Sequence, residues 1–324
     1  MKNEVIISIL FMLYLAGCQI DKDDNVIIDI KEPAQSLSIF GEDILSTPLY
    51  ERDMAISPQF DEIIYTLGDY KQNRRCLVAM KYKNGNWSKP EILNISGTYH
   101  DIEPFFSHDG NRLYFASDRP IFGDTTRNDY NIWYSDRNDG LWSEPVALDT
   151  IINTKQNEYF PSLSLNGNLY FTSVRENGIG REDIFISKFV DGKYLSPSPL
   201  SSEINTISYE FNAFISLEED YIIFSSFGRE DGFGGGDLYI SVKDAEGNWA
   251  QARNLGSKIN SDKLDYCPFV DAESHNFYFT SERISGSRNK LETIEDLKNS
   301  GNSIENGFGN IYRVSFNELN INVK

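Results

Sequence analysis

Five acidic residues recur through the chain at nearly even steps of 50, 57, 52 and 55 residues: Glu51, Asp101, Glu158, Glu210 and Asp265. Four arginines, Arg119, Arg175, Arg229 and Arg283, follow the same rhythm. Carboxylates and guanidinium groups in matched columns are the components of bidentate ion pairs. A feature that every repeat shares serves the repeat, so these columns read as framework. Gathered about one axis, the same five carboxylates would also form a ring able to take a cation or a polar ligand. Departures from the rhythm are better candidates for chemistry. Two residues after the acid, the first two repeats carry Asp53 and Glu103, where the others carry Phe160, Asn212 and Cys267. With Glu51, Arg52 and Asp101 these make a local acidic group. Paired carboxylates hold Ca2+ through oxygen ligands, or cleave glycosidic bonds when about 5–9.5 Å apart. No cofactor other than such a Ca2+ ion is indicated, and the metal, if any, is not specified. His108 and His275 fall on turns away from the acids, and His100 alone makes no metal site.

The elements that must position these residues are short strands. Ser57, Ser107, Ser164, Ser216 and Asp271 stand at equivalent places, six residues after each acid. Each is followed by a near-continuous apolar run: Ile63-Ile64-Tyr65, Leu113-Tyr114-Phe115, Leu169-Tyr170-Phe171, Ile222-Ile223-Phe224 and Phe277-Tyr278-Phe279. Such runs are strands buried on both faces. Further strands follow at Ile184-Phe185-Ile186, Leu238-Tyr239-Ile240 and Ile311-Tyr312. Asn84-Gly85, Asp139-Gly140, Asp191-Gly192 and Glu246-Gly247 predict tight hairpins, because glycine accepts positive φ. Trp87, Trp142, Tyr194 and Trp249 come two residues later and read as core anchors. A period near fifty residues filled with short strands is that of four-stranded propeller blades. The fold class is therefore all-β, a β-propeller of five four-stranded blades, with six blades as the alternative.

The fifth repeat lacks a final strand, and the missing piece lies near the N-terminus. Leu45-Ser46 leads to Glu51 as Ile204-Asn205 leads to Glu210. The segment around Ser38-Ile39-Phe40 is thus expected to close the ring, which removes exposed sheet edges. Closure by Asn320-Ile321-Asn322-Val323 is the other arrangement. The fifth repeat also carries a long insert, Ile284 to Asn306, in which Leu291, Ile294 and Leu297 have helical spacing.

These columns resemble the WD40-like propeller repeat of the TolB type. The second repeat carries Glu103-Pro104-Phe105-Phe106-Ser107-His108-Asp109-Gly110 and Leu113-Tyr114-Phe115-Ala116-Ser117-Asp118-Arg119. The fourth adds Gly234-Gly235-Gly236-Asp237-Leu238-Tyr239, Asn254-Leu255-Gly256 and Ile259-Asn260. The resemblance spans residues 38 to 316. The first repeat departs from it, with Gly68-Asp69 in place of the arginine. The resemblance implies a mostly non-catalytic binding or scaffold module of the bacterial envelope, although a repeat specifies architecture more than function.

The first seventeen residues read as an export signal. An apolar run from Val5 to Ala16 follows Lys2 and is short for a membrane span. Leu15-Ala16-Gly17-Cys18 resembles the lipobox of bacterial lipoproteins, which makes Cys18 the acylated residue and residues 18–35 a tether to the propeller domain of residues 36–324. Lys22-Asp23-Asp24 resembles an outer-face export tag and equally fits a plain polar tether. These features imply an outer-membrane, lipid-anchored protein that is exposed at the surface if the tag is real. The net charge of −19 excludes nucleic acid as a partner, since phosphates need a basic surface. Cys76 and Cys267 are too few for a disulfide framework. The function expected is non-catalytic binding of an envelope protein or glycan through the loop-rich face. The alternatives are glycan cleavage by Asp53 and Glu103, and a structural role in an outer-membrane complex.

Overall fold

A computed structural model describes residues 27–284 and 290–321. Cys18 and the leader lie outside the described residues. Five of the antiparallel sheets among the described residues are blades, each led by an inner strand that lines a common axis. Blade 1 runs Tyr50–Ile56, Glu62–Gly68 and Arg75–Lys83, edged by Asn86–Trp87 and Glu91–Ile92. Blade 2 runs Asp101–Phe106, Arg112–Ser117 and Asn131–Asn138, edged by Leu141–Trp142 and Val146–Ala147. Blade 3 has Glu158–Leu163, Leu169–Ser173, Asp183–Ser187 and Ser198–Pro199. Blade 4 has Tyr209–Ile215, Tyr221–Phe227, Asp237–Val242 and Arg253–Asn254. Blade 5 has Asp265–Asp271, Asn276–Ser281 and Asn310–Ser315, and Ser38–Ile39 completes it.

The ring therefore closes through its N-terminal segment. Ser38 and Ile39 pair antiparallel with Arg313 and Tyr312. Phe40 lies edge-on to Tyr278 at 5.0 Å and ties the closing strand into the core. At the other end of the chain, Phe316–Leu319 is a 3-10 helix rather than a strand. Residues 27–34 also lie against the lower side of this junction. Trp87 Nε1 donates to the Ile28 carbonyl, and Asn276 exchanges hydrogen bonds with Ala34 and Glu32. Ile30 is buried there.

Each junction between blades has its own apolar cluster. Ile63, Trp87 and Tyr278 join blades 5 and 1, and Leu77, Leu113 and Trp142 join blades 1 and 2. Phe171 and Phe185 face Ile132 between blades 2 and 3. Ile184 and Phe224 lie between blades 3 and 4, and Leu238 and Phe277 between blades 4 and 5. Full burial of one such side chain contributes about 1.5–3 kcal/mol. Trp87 and Trp142 are buried as anchors, whereas Tyr194 and Trp249 are half-buried. Asn84-Gly85, Asp139-Gly140 and Asp191-Gly192 hold both residues at positive φ, the geometry of a two-residue hairpin. The blade 4 turn is built differently: Asp244 Oδ1 accepts from the backbone N–H groups of Glu246 and Asn248.

All connections from second to third strand, and from each outer strand to the next inner strand, reach one face, called upper here. Tight turns occupy the lower face. The insert in blade 5 contains an α-helix, Ile294–Gly301, with a Thr293 capping box. Leu291 precedes that helix, and Leu291, Ile294 and Leu297 are all exposed, so their spacing marks no packed face.

Candidate functional site

The acid column lies at the start of the inner strands. Glu158, Asp101 and Asp265 open their strands; Glu51 and Glu210 are second residues. All five are fully buried. In four blades the arginine column meets them. Arg119 pairs with Asp101, Arg175 with Glu158 at 3.3 Å, Arg229 with Glu210 at 3.1 Å and Arg283 with Asp265 at 2.8 Å. Each of these guanidinium groups also donates to a carbonyl of the incoming connection: Ile95, Ile152, Ile204 and Ile259. One arginine thus staples an inner strand to the segment arriving from the previous blade. The carboxylates are turned into the protein by these bonds and do not form an open ring.

Blade 1 has no staple. Glu51 is held by the Thr47 N–H and hydroxyl and by Asn310 Nδ2. None of these supplies a positive charge, and burial pushes the Glu51 carboxyl up to about 7.

Asp53, Glu103, Phe160, Asn212 and Cys267 form the second column. Every one has φ between 49° and 61°, and every inner strand shifts register there. This is a bulge repeated in five blades, a device that re-aims side chains at sheet edges and channel rims. Such φ values cost non-glycine residues energy, so neighbours must hold them. In three blades the holding group is a hydroxyl from the preceding blade. The bulge N–H of Glu103 donates to Thr66 Oγ1 at 3.1 Å, that of Asn212 to Thr172 Oγ1 at 3.0 Å and that of Asp53 to Thr280 Oγ1 at 3.3 Å. The equivalent residue of blade 2 is Ala116, which has no hydroxyl. There the Glu103 carboxylate reaches across and accepts from the Phe160 N–H at 2.7 Å. Glu103 occupies the role of the missing threonine.

The rest of that carboxylate is also engaged. Glu103 Oε1 accepts from Arg52 at 3.0 Å and from Asn212 Nδ2 at 3.1 Å. Arg52 Nε contacts both Asp53 oxygens at 2.7 and 2.8 Å, and the guanidinium lies 5.0 Å from the Tyr266 ring centroid. Asp53 and Glu103 are therefore brought together by one arginine, in a buried cluster. Burial first, then the neighbouring Asp53, pushes the Glu103 carboxyl up from its ordinary value. An aromatic group of Tyr50, Phe160 and Tyr266, with Tyr159, Phe211 and Phe308 against it, surrounds the cluster. Cys267 is buried beside Arg52, and both it and the half-buried Cys76 are free thiols.

Below this cluster the lower mouth of the channel opens as a cavity of about 420 Å3 lined by Phe105, Leu165, Phe214, Leu217 and Phe269. His108 stands at its edge and contacts the Ser164 carbonyl at 2.8 Å. His100 is at the upper rim, bound to Asp118 and the Asn73 carbonyl. No group of three or more metal-ligating side chains occurs among the described residues.

A feature that the repeat columns did not reveal is a collar on the upper face. Each connection between second and third strands presents a large apolar side chain to solvent. These are Tyr70, Phe122, Ile179, Phe233 and Ile284, between 43% and 57% exposed. The signal was present in the sequence as apolar residues within largely polar loops.

No family model and no curated protein matches the sequence. Solved structures do resemble the fold. A complex of BT0996 with RGII has a TM-score of 0.52 at 10% identity, over 89% of this protein and 92% of that one. An endo-arabinase from Bacteroides thetaiotaomicron gives 0.48 at 18% identity, over 75% of this protein and 92% of that one. TolB from Acinetobacter baumannii gives 0.42 at 14% identity, over 85% of this protein. The present sequence spans 55% of that TolB.

Proposed function

We propose that this propeller is a non-catalytic binding module of the bacterial envelope that captures a protein partner on its upper face. The observation that carries this reading is the collar: five separate loops expose an apolar side chain on the same face. A partner that covered all five at once would remove their apolar surface from water at about 25 cal/mol per Å2. Among the described residues Asp53 and Glu103 are not a free pair of acids to set against it, because both bind Arg52 and Glu103 also accepts from the Phe160 N–H. Lipid anchorage through Cys18 in the outer membrane belongs to the same proposal. Residues 27–34 leave the propeller along its lower side at the closing junction, so a tether drawn from there holds the lower face towards the bilayer and presents the collar away from it.

A photo-crosslinking residue at position 122 or 233 should trap the same partner on intact cells, and one at Leu217 on the lower face should not. Phe122→Asp combined with Phe233→Asp should abolish that adduct while leaving the melting temperature within about 2 °C, as for exposed positions. Crosslinking from Leu217 alone would overturn the assignment.

Glycan cleavage remains a second reading on one observation. The raised Glu103 carboxyl keeps its proton to a higher pH than usual, which is what a general acid requires. That reading predicts reducing-end release from a glycan panel, lost in Glu103→Gln. The binding reading predicts no release with the unsubstituted protein.

A further inference from the structure

We infer that the lower mouth of the channel is a binding pocket for a small organic cation with an apolar, aromatic body, distinct from the collar on the opposite face. The cavity there has a volume of about 420 Å3, within the range of pockets that enclose small ligands. Its rings come from one position of the repeat, four residues after the acid, where blades 2, 4 and 5 carry Phe105, Phe214 and Phe269. All three are half-buried and line the cavity. Phe214 and Phe269 meet edge-on at 5.9 Å. Leu165 and Leu217, 55% and 47% exposed, carry the apolar wall out to the rim.

The neutral polar groups of this wall are engaged within the protein. Ser57 and Ser216 accept the N–H groups of Glu62 and Tyr221 and donate to Asp61 and Asp220, inside their own hairpins. His108 Nε2 donates to the Ser164 carbonyl at 2.8 Å. The charge that remains is acidic. Blade 5 carries Asp271 where the other four blades carry serine. One carboxylate oxygen does the serine's work and accepts the Glu273 and Ser274 N–H groups at 3.0 and 3.1 Å. The other oxygen is buried and has no hydrogen-bond partner. Glu273 is exposed at the same rim, and among the described residues no lysine or arginine lines the cavity.

These features select by charge as well as by shape. A carboxylate in a low-dielectric wall acts strongly on a charge beside it, without direct contact. Aromatic faces attract a cation within about 6 Å of the ring centre. An apolar body removes the phenylalanine and leucine surfaces from water. The same acids repel an anion, so an apolar carboxylate of equal size is disfavoured.

Isothermal titration calorimetry of the full chain with 3-phenylpropylammonium, 3-phenylpropanol and 3-phenylpropionate tests the assignment, because the three share one body and differ in charge. The cation should bind saturably and about tenfold tighter than the alcohol, and the anion should bind most weakly. Asp271→Asn, which keeps an oxygen for the turn, combined with Glu273→Gln should bring the cation down to the affinity of the alcohol. Glu273→Gln alone, at an exposed position, should remove part of that preference with an unchanged melting curve. Ala272→Trp, which narrows the rim without touching its charges, should weaken the cation and the alcohol alike. Phe122→Asp and Phe233→Asp should leave the affinity unaltered, so failure of the collar and failure of the pocket read out separately. Absence of binding by the cation, an anion bound as tightly as the cation, a cation preference unchanged in Glu273→Gln, or full affinity in Ala272→Trp would overturn the proposal.

Discussion

Two rings of side chains circle the upper half of the channel, and they follow opposite rules. The outer ring repeats one chemistry: an acid at the start of each inner strand and, in four blades, the arginine that staples it to the incoming connection. The inner ring repeats one backbone conformation and varies the chemistry: Asp53, Glu103, Phe160, Asn212 and Cys267 all sit at positive φ. Where a blade breaks the outer rule, a neighbouring group covers the gap without a charge. Where the inner ring lacks a hydroxyl to hold it, at Ala116, a carboxylate takes its place. Irregularity in a repeat protein is thus no direct pointer to an active site; part of it is one substitution answering another.

The comparison can be broken first at the outer ring. Arg119→Ala leaves Asp101 buried without its cation and cuts the tie to Ile95. Loss of one partner from a buried pair costs about 3–5 kcal/mol, measurable as a shift in the denaturation midpoint. A smaller effect should appear at the unstapled junction. The folded-state pKa of Glu51 lies above its unfolded value, so the native state holds the proton over the window from 4.5 to about 7. Its contribution to stability is complete below that window and is lost as pH rises through it. Glu51→Gln keeps an oxygen for Thr47 and Asn310 and removes the titration. The variant should gain on the order of 1–2 kcal/mol relative to the parent between pH 5 and pH 8, read from paired melting curves. The smallest change is expected at Asp69, which stands in blade 1 where the arginine would be. It only braces its own turn through Lys71 and Asn73. Asp69→Ala should cost less than about 1 kcal/mol by the same melting assay.

Much of the fold was legible in the sequence because it depends on repetition of apolar runs and turns. The five anchors and the closing strand follow from Ile63, Leu113, Leu169, Ile222 and Phe277 starting equivalent strands, and from Leu45-Ser46 matching Ile204-Asn205. The bulge was not legible. Positive φ is usually announced by glycine or asparagine, and here four of the five residues are aspartate, glutamate, phenylalanine and cysteine. In three blades the conformation is held by hydroxyls far away in the chain, on the preceding blade or across the ring closure, and in a fourth by the Glu103 carboxylate, which no local pattern displays. The pairing of Asp53 with Glu103 as neighbours was readable from their offset to the anchors. Their commitment to Arg52 and to the Phe160 N–H was not, because it rests on Ala116 lacking an oxygen.

The central claim is that Glu103 is a strut standing in for a threonine, so that the channel is scaffold and recognition belongs to the collar. The direct test is a double-mutant cycle between Glu103→Ala and Ala116→Thr, followed by chemical denaturation. The Ala116→Thr substitution should offer the Phe160 N–H the hydroxyl that three other junctions use. Glu103→Ala should then cost about 1–2 kcal/mol less in the Ala116→Thr background than alone, the value of one recovered buried hydrogen bond. Equal costs in the two backgrounds would show that the two positions do not answer one another, and would contradict the account.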